Sequence, residues 1–325
     1  MKTILDQANP EEQLQRDGVT YEGWGQKLSL TQYLRRESVL RAHVWPQDQS
    51  VRMWLLKSER GEVLSSCETY PLVPGQVLGV GSVFTEVKWR GRGFATQLLQ
   101  ELTRWVGSKE APFEHQASDA VILFSEVGER IYERAGFQGV DSHEWVFDLD
   151  ETPNNPPFFE TSLKVEPLSS HADLRARSSG LHVDESLFWI APSDQHLMWH
   201  ALRERIYAEC LGRSQSTVIG ARCADSFLIW SVDHKANALR VLDSSCTDGA
   251  TQRALLIHAM DQARRAQVQG IRLWDCESQR AHFCHEQWGA PLRRVRREDS
   301  IAMIHFTSPR LSQKKWINIQ RGLWI

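Results

Sequence analysis

The sequence predicts an α/β protein of two domains, and three observations carry that expectation. The chain has 325 residues, longer than one hydrophobic core commonly grows. Helical and strand periodicities alternate along the first half in the order helix, β, β, β, helix, β, helix, β. The second half repeats that punctuation weakly, with GATQRALL resembling GFATQLL and HFCHEQWGA resembling IYERAGF, as two copies of one β-α-β-α unit would. The boundary is expected at ETPNNPPFFE, whose prolines and asparagines suit neither strand nor helix. This gives domains at 1–150 and 161–325, with 151–160 as the linker.

Each element has its own signal. In SLTQYLRRESVLRA, Leu30, Tyr33, Leu34, Val39 and Leu40 recur at helical spacing. VRMWLLKS and GEVLSSCETYPLV flank the turn-like Glu59-Arg60-Gly61 and predict an antiparallel hairpin. VLGVGSVF, rich in β-branched residues, predicts the next strand. In the helix opening near Gly93, Ala95, Leu98, Leu99, Leu102 and Trp105 mark one buried face. DAVILF reads as a buried strand and SEVGERIYERAGF as a turn, a helix and a glycine exit. Past the linker, HLMWHALRERIYAEC reads as a helix on which His200 and Glu204 form a surface pair one turn apart. ALRVLD and IRLWD read as strands, GATQRALLIHAMDQARRA and ESQRAHFCHEQWGA as helices.

Composition excludes several classes. With 41% hydrophobic and 24% charged residues and a net charge of -3, neither disorder nor a general affinity for nucleic acid is expected. No apolar run approaches a membrane span, and MKTILDQANPEEQ lacks the apolar core of a secretory signal. Six scattered cysteines suggest free thiols in a reducing compartment, so a soluble cytoplasmic protein is expected. The spacing of Cys276, His282, Cys284 and His285 fits no standard zinc pattern, and no metal site is expected. RRVRRED at 293–299 reads as a solvated rim.

The stretch VKWRGRGFATQLL stands between a strand and an amphipathic helix and admits three readings: a tight turn, a basic patch for nucleic acid, or a phosphate cradle. A helix start offers unpaired N–H groups and partial positive charge, and a glycine-rich turn lets phosphates approach the backbone. Arg90, Gly91, Arg92, Gly93, Phe94 and Ala95 suit that task. A P-loop would need a terminal Gly-Lys-Ser/Thr, which is absent, and a dinucleotide fingerprint would need glycine where Thr96 stands.

On these residues the chain resembles the GNAT superfamily of N-acetyltransferases. Arg90-x-x-Gly93-x-Ala95 after a strand looks like its acyl-CoA pyrophosphate motif, and DAVILF followed by IYERAGF looks like its second motif. More narrowly, WGQKL, YLRRESVL, SCETY, SVFTEVKWRGRGFATQLL, ILFSEVGERIYERAGF and REDSIAMIHF resemble the fungal lysine N6-acetyltransferase family. The resemblance implies a mixed, mostly antiparallel sheet with flanking helices and a second, degenerate GNAT-like domain that walls the acceptor pocket without binding CoA. It implies acetyl-CoA as co-substrate, no metal, and a small amine, such as free lysine, as acceptor, with transfer through a tetrahedral intermediate.

It also implies roles. Ser82, Val83 and Phe84 would hold the thioester arm, and a backbone N–H there would polarise the acetyl carbonyl. Tyr132 occupies the position of the acid that protonates the departing thiolate. Because a lysine ammonium has a pKa of about 10.4, a base must remove its proton. Glu68 is the candidate, directly or through water, and Glu86 competes with it; Ser125 is expected to cap the following helix. Two alternatives remain: an acyltransferase of specialised metabolism with another acceptor, and a non-catalytic acyl-CoA-binding regulatory module. Oligomeric state is not legible.

Overall fold

The computed structural model describes residues 2–43, 51–108, 110–150, 163–170, 179–246, 248–276 and 292–325. In chain order, β1 (Thr3–Gln7) precedes α1 (Pro10–Trp24), which opens on a capping box between Asn9 and Glu12 with proline at the first turn. There follow α2 (Leu30–His43), β2 (Arg52–Ser58), β3 (Val63–Val73), β4 (Val77–Thr85), α3 (Phe94–Val106), β5 (Ala120–Ser125), α4 (Arg130–Glu133), β6 (Gln138–Gly139) and β7 (His143–Asp148). Next come β8 (Glu166–Leu168), β9 (Gly180–Val183), β10 (Leu187–Ala191), α5 (Asp194–Leu211), β11 (Gly220–Cys223), β12 (Ser226–Asp233) and β13 (Ala238–Ser245). The chain continues through α6 (Gly249–Arg265), β14 (Gly270–Trp274), β15 (Leu292–Arg296), β16 (Ile301–Phe306), α7 (Pro309–Ser312) and β17 (Lys315–Trp316).

Two compact units result. The first comprises Met1–Asp141, Val183–Phe188 and Glu298–Lys315; the second comprises Ser142–His182, Trp189–Arg297 and Trp316–Ile325. Neither is continuous in sequence, which departs from a simple division at 150 and 161. The expected linker, 151–160, lies outside the described residues, as does the expected helix in ESQRAHFCHEQWGA beyond Cys276.

The first unit's sheet has the order β1-β2-β3-β4-β5-β16-β6. All its pairings are antiparallel except β4 with β5. Against one face packs α3, whose Leu98, Leu99 and Leu102 are fully buried. Each such leucine contributes about 1.5–3 kcal/mol by leaving water. The predicted face is therefore correct at its centre, while Ala95 and Trp105 at its ends are half-buried. α4 is a single turn, shorter than the sequence suggested, because Gly136 at φ 91° turns the chain immediately afterwards.

The second unit repeats the plan with the order β15-β7-β14-β13-β12-β11-β8 and one parallel pair, β13 with β14. Its α6 packs Leu255, Leu256 and Ala259 into a core with Leu228, Val241 and Ile271. The two sheets exchange strands. WVFDLD, read from sequence as the end of the first domain, forms most of β7 and lies between β14 and β15. IAMIHF, near the end of the chain, forms β16 and lies between β5 and β6.

His200 is buried and the Glu204 carboxylate accepts a hydrogen bond from the Val232 backbone at 2.8 Å, so they do not form the surface pair expected from their spacing. Burial pushes Glu204 up to about 7. None of the described helices is long and apolar enough to cross a membrane. Among the described residues, five cysteines are free thiols and no group of three or more His, Cys, Asp or Glu is arranged to hold a metal. His282, Cys284 and His285 fall outside them.

Candidate active site

The site begins with a defect in β4. Across the β3–β4 ladder, Ser66 pairs with Phe84 and Glu68 with Gly81, so Cys67 alone faces Ser82 and Val83. This is a β-bulge, with Ser82 in the left-handed region at φ 51°. A bulge bends its strand and sharpens the local twist. On the opposite edge, the parallel ladder of β4 with β5 runs from Val77–Ala120 to Val80–Leu123 and stops. β5 continues to Ser125, paired there with Ile301 of β16. Beyond Val80 the two parallel strands therefore part, and Gly81–Thr85 pass from buried to half-buried. The backbone groups on that edge are left for another partner.

Immediately after the splay, a short 3-10 turn at Val87–Trp89 leads into the glycine-rich stretch. Gly91 and Gly93 have φ of 76° and 83°, a region costly for residues with a Cβ. Among the described residues, a Cβ at either position would meet nothing within 4 Å, so glycine is required by backbone direction rather than by crowding. Gly93 is the N-cap of α3 and has no side chain to cap with. The first bond of the helix runs from Gln97 N–H to the Gly93 carbonyl, leaving the N–H groups of Phe94, Ala95 and Thr96 at the helix start. Arg90 donates to the Thr85 carbonyl at 3.2 Å and lies 5.4 Å from the Phe84 ring, while the exposed Arg92 lies 4.9 Å from the Trp89 ring. Phe94 is buried against Trp89. Unpaired amides, uncrowded glycines and two arginines fit a pyrophosphate, and the splayed edge of β4 fits an extended amide chain.

Tyr132, on α4, is buried 6.4 Å from the Phe137 ring in the same core as Cys67 and α3. Burial pushes its phenol up to about 12, a hydrogen bond with Ser125 works the other way, and Glu126 and Cys67 add to the rise. The phenol is thus a proton holder at neutral pH. Ser125, expected as a helix cap, instead closes its own turn: it donates to the Gly128 carbonyl at 2.6 Å and accepts from Val127 N–H at 3.2 Å.

The two carboxylates named as candidate bases are both clamped by arginines from α1 and α2. Glu68 is buried, and its Oε1 accepts from Arg41 Nε at 2.7 Å. The same guanidinium grips Asp17 through Nη1 at 2.7 Å and Nη2 at 2.6 Å and reaches Glu37 at 3.6 Å. Burial raises Asp17 to about 6 against the pull of Arg41. Glu86 pairs with the buried Arg16, whose Nε donates to Ser66 Oγ at 3.2 Å and whose guanidinium lies 5.5 Å from the Phe84 ring. Sequence reasoning missed Arg16, Asp17 and Arg41. The one available signal was Asn9-Pro10-Glu11-Glu12, a helix start that would have placed Arg16 and Asp17 on a helix without showing what that helix packs against.

A seven-stranded sheet parting after a bulge, a glycine-rich helix start at the parting and a tyrosine-bearing turn behind it define the GNAT fold. Solved structures with the same fold include a GCN5-related N-acetyltransferase of Anabaena variabilis, 14% identical with a TM-score of 0.55 over 94% of this chain and 73% of that one. Another, from Sphaerobacter thermophilus, is 15% identical with a TM-score of 0.53 over 95% and 97%. Residues 169–325 match the family described as the LYC1 GNAT-like C-terminal domain. A lysine acetyltransferase of Yarrowia lipolytica is 23% identical over 344 aligned positions, covering 86% of each chain.

Proposed function

We propose that this protein is an acetyl-CoA-dependent N-acetyltransferase whose acceptor is the side-chain amine of free lysine or a closely similar small amine. The observation that carries the donor is the junction of the splayed β4 with the uncapped, glycine-led start of α3. Similarity to the Yarrowia lipolytica lysine acetyltransferase supports the acceptor.

Acetyl-CoA supplies an activated thioester. The amides at the start of α3, with Arg90 and Arg92, hold its pyrophosphate; the free edge of Ser82, Val83 and Phe84 orients its arm and offers an N–H to the carbonyl oxygen as charge develops there. Glu68 receives the acceptor's proton by way of water, with Arg41 fixing its Oε1. Tyr132 keeps its own proton, since a phenol near 12 is a weaker acid than a thiol of about 8.5, and it stabilises the departing sulfur by donating a hydrogen bond.

The test is acetyl-CoA-dependent thiol release by the purified protein across a panel of free amines and amino acids. Release with lysine is expected. Binding of acetyl-CoA without release on any amine would instead favour the regulatory acyl-CoA-binding reading.

A further inference from the structure

Arg16 is 3% exposed on α1 and sits beside the strand proposed to hold the thioester. Its guanidinium has five N–H donors in a planar fork. Nε is spent on Ser66 and Nη1 on Glu86, but Nη2 is buried with no partner among the described residues. An unpaired buried donor costs free energy that a matching acceptor would recover. The Phe84 ring lies over the guanidinium and Trp24 packs edge-on against that ring. Ser66 and Phe84 are direct partners across the ladder, so this donor lies within one side chain of the reactive strand. Glu86 is the more accessible half of the pair, with its side chain 24% exposed.

An arginine with a spare N–H joined to a partly exposed carboxylate is the complement of an α-amino acid head group, which carries a carboxylate next to an ammonium. We infer that the Arg16–Glu86 pair is the head-group site for the acceptor, Arg16 Nη2 binding the α-carboxylate and Glu86 the α-ammonium once the Phe84 ring moves aside. The inference rests on the acetyltransferase reading above and narrows it to free amino acids, excluding peptides and simple diamines. It also separates the two candidate bases. Glu86 reads the head group, and Glu68 is left to take the proton.

The experiment compares kcat/KM for lysine, cadaverine, lysinamide and Nα-acetyl-lysine with the unmodified protein and with Arg16→Gln, Arg16→Lys and Glu86→Gln, with acetyl-CoA thermal shift as the check on folding. The unmodified protein should prefer lysine over each analogue by about 10- to 100-fold, the range expected of one charge-assisted hydrogen bond. Arg16→Gln should erase the preference over cadaverine and lysinamide, and Arg16→Lys should restore part of it. Glu86→Gln should raise KM for lysine and erase the preference over Nα-acetyl-lysine. Equal use of lysine and cadaverine by the unmodified protein, or a lysine preference surviving Arg16→Gln, would overturn the head-group assignment and leave the acetyltransferase standing. If Arg16→Gln fails the folding check, Arg16→Lys decides alone: an undiminished preference refutes the assignment. A complete lack of turnover on every amine would sink the acetyltransferase reading and this inference with it.

Discussion

The starts of α3 and α6 are the same piece of architecture finished in opposite ways. Both helices follow a strand whose parallel ladder ends early, at Val80 in the first unit and at Val241 in the second. Both strands carry an irregularity just beyond that point, at Ser82–Val83 and at Leu242. Gly93-Phe94-Ala95-Thr96-Gln97 and Asp248-Gly249-Ala250-Thr251-Gln252 then open the helices. Where the first has an open N-cap, the second has an aspartate whose carboxylate accepts from Ala250 N–H at 2.8 Å and Thr251 N–H at 2.9 Å. The second unit therefore satisfies its anion site internally. Its splay is filled as well: Gln320 donates to the Ser244 carbonyl at 3.3 Å, and Gly322 lies so close to the Leu242 carbonyl that a Cβ would stand 2.9 Å from it. One residue at the N-cap and one segment along the strand separate the proposed ligand cradle from a finished piece of core.

Exchanging the chemistry of the two starts is the sharpest way to break this contrast. Gly93→Asp brings a carboxylate to the cradle and forces a side chain into a left-handed backbone. Loss of two charge-assisted bonds predicts acetyl-CoA affinity down about 100-fold or more, seen as a vanished thermal shift. A retained shift would remove α3 as the anion site. Tyr132→Phe deletes the hydrogen bond proposed to the departing sulfur but leaves the α3 start intact, so turnover should fall about 100-fold with acetyl-CoA affinity nearly unchanged. In the second unit the consequences should be structural. Glu204 has its folded pKa raised from 4.5 to about 7, so its stabilising protonated form is fully present below about pH 4.5 and is lost as pH rises through 7. Glu204→Gln should raise stability by on the order of 3 kcal/mol at pH 8 and change little at pH 4.5, read from urea unfolding at the two pH values. The smallest effect belongs to Asp248→Ala, which should cost about 1 kcal/mol as a lost cap and leave acetyl-CoA binding unaltered.

Much of the proposed donor site was legible because it is local. The cradle, its strand and its helix are contiguous, and glycines at positive φ leave a direct trace in the sequence. Tyr132 was named from its place in the resemblance to the second motif, which is just as local. The acceptor face was not legible, because Arg16, Asp17 and Arg41 act on Glu68 and Glu86 from helices far away in sequence, and a charged residue on an amphipathic helix reads as solvated until a partner is seen. α1 itself escaped notice, since its buried positions include Arg16, Asp17 and Thr20 in place of an apolar stripe. The strand exchange was hidden for a related reason. β7 and β16 are short strands with three consecutive buried residues each, and nothing in a strand's own residues states which sheet it will join.

That exchange makes the protein a pair of mutual debtors. A cleavage in the segment 151–160 would yield an N-terminal piece whose sheet has a gap between β5 and β6, and a C-terminal piece with a gap between β14 and β15. Each piece would carry the strand the other lacks. Neither half should refold to a closed sheet by itself, whereas mixing them should restore both, so this chain is suited to fragment complementation and poorly suited to dissection into separate domains.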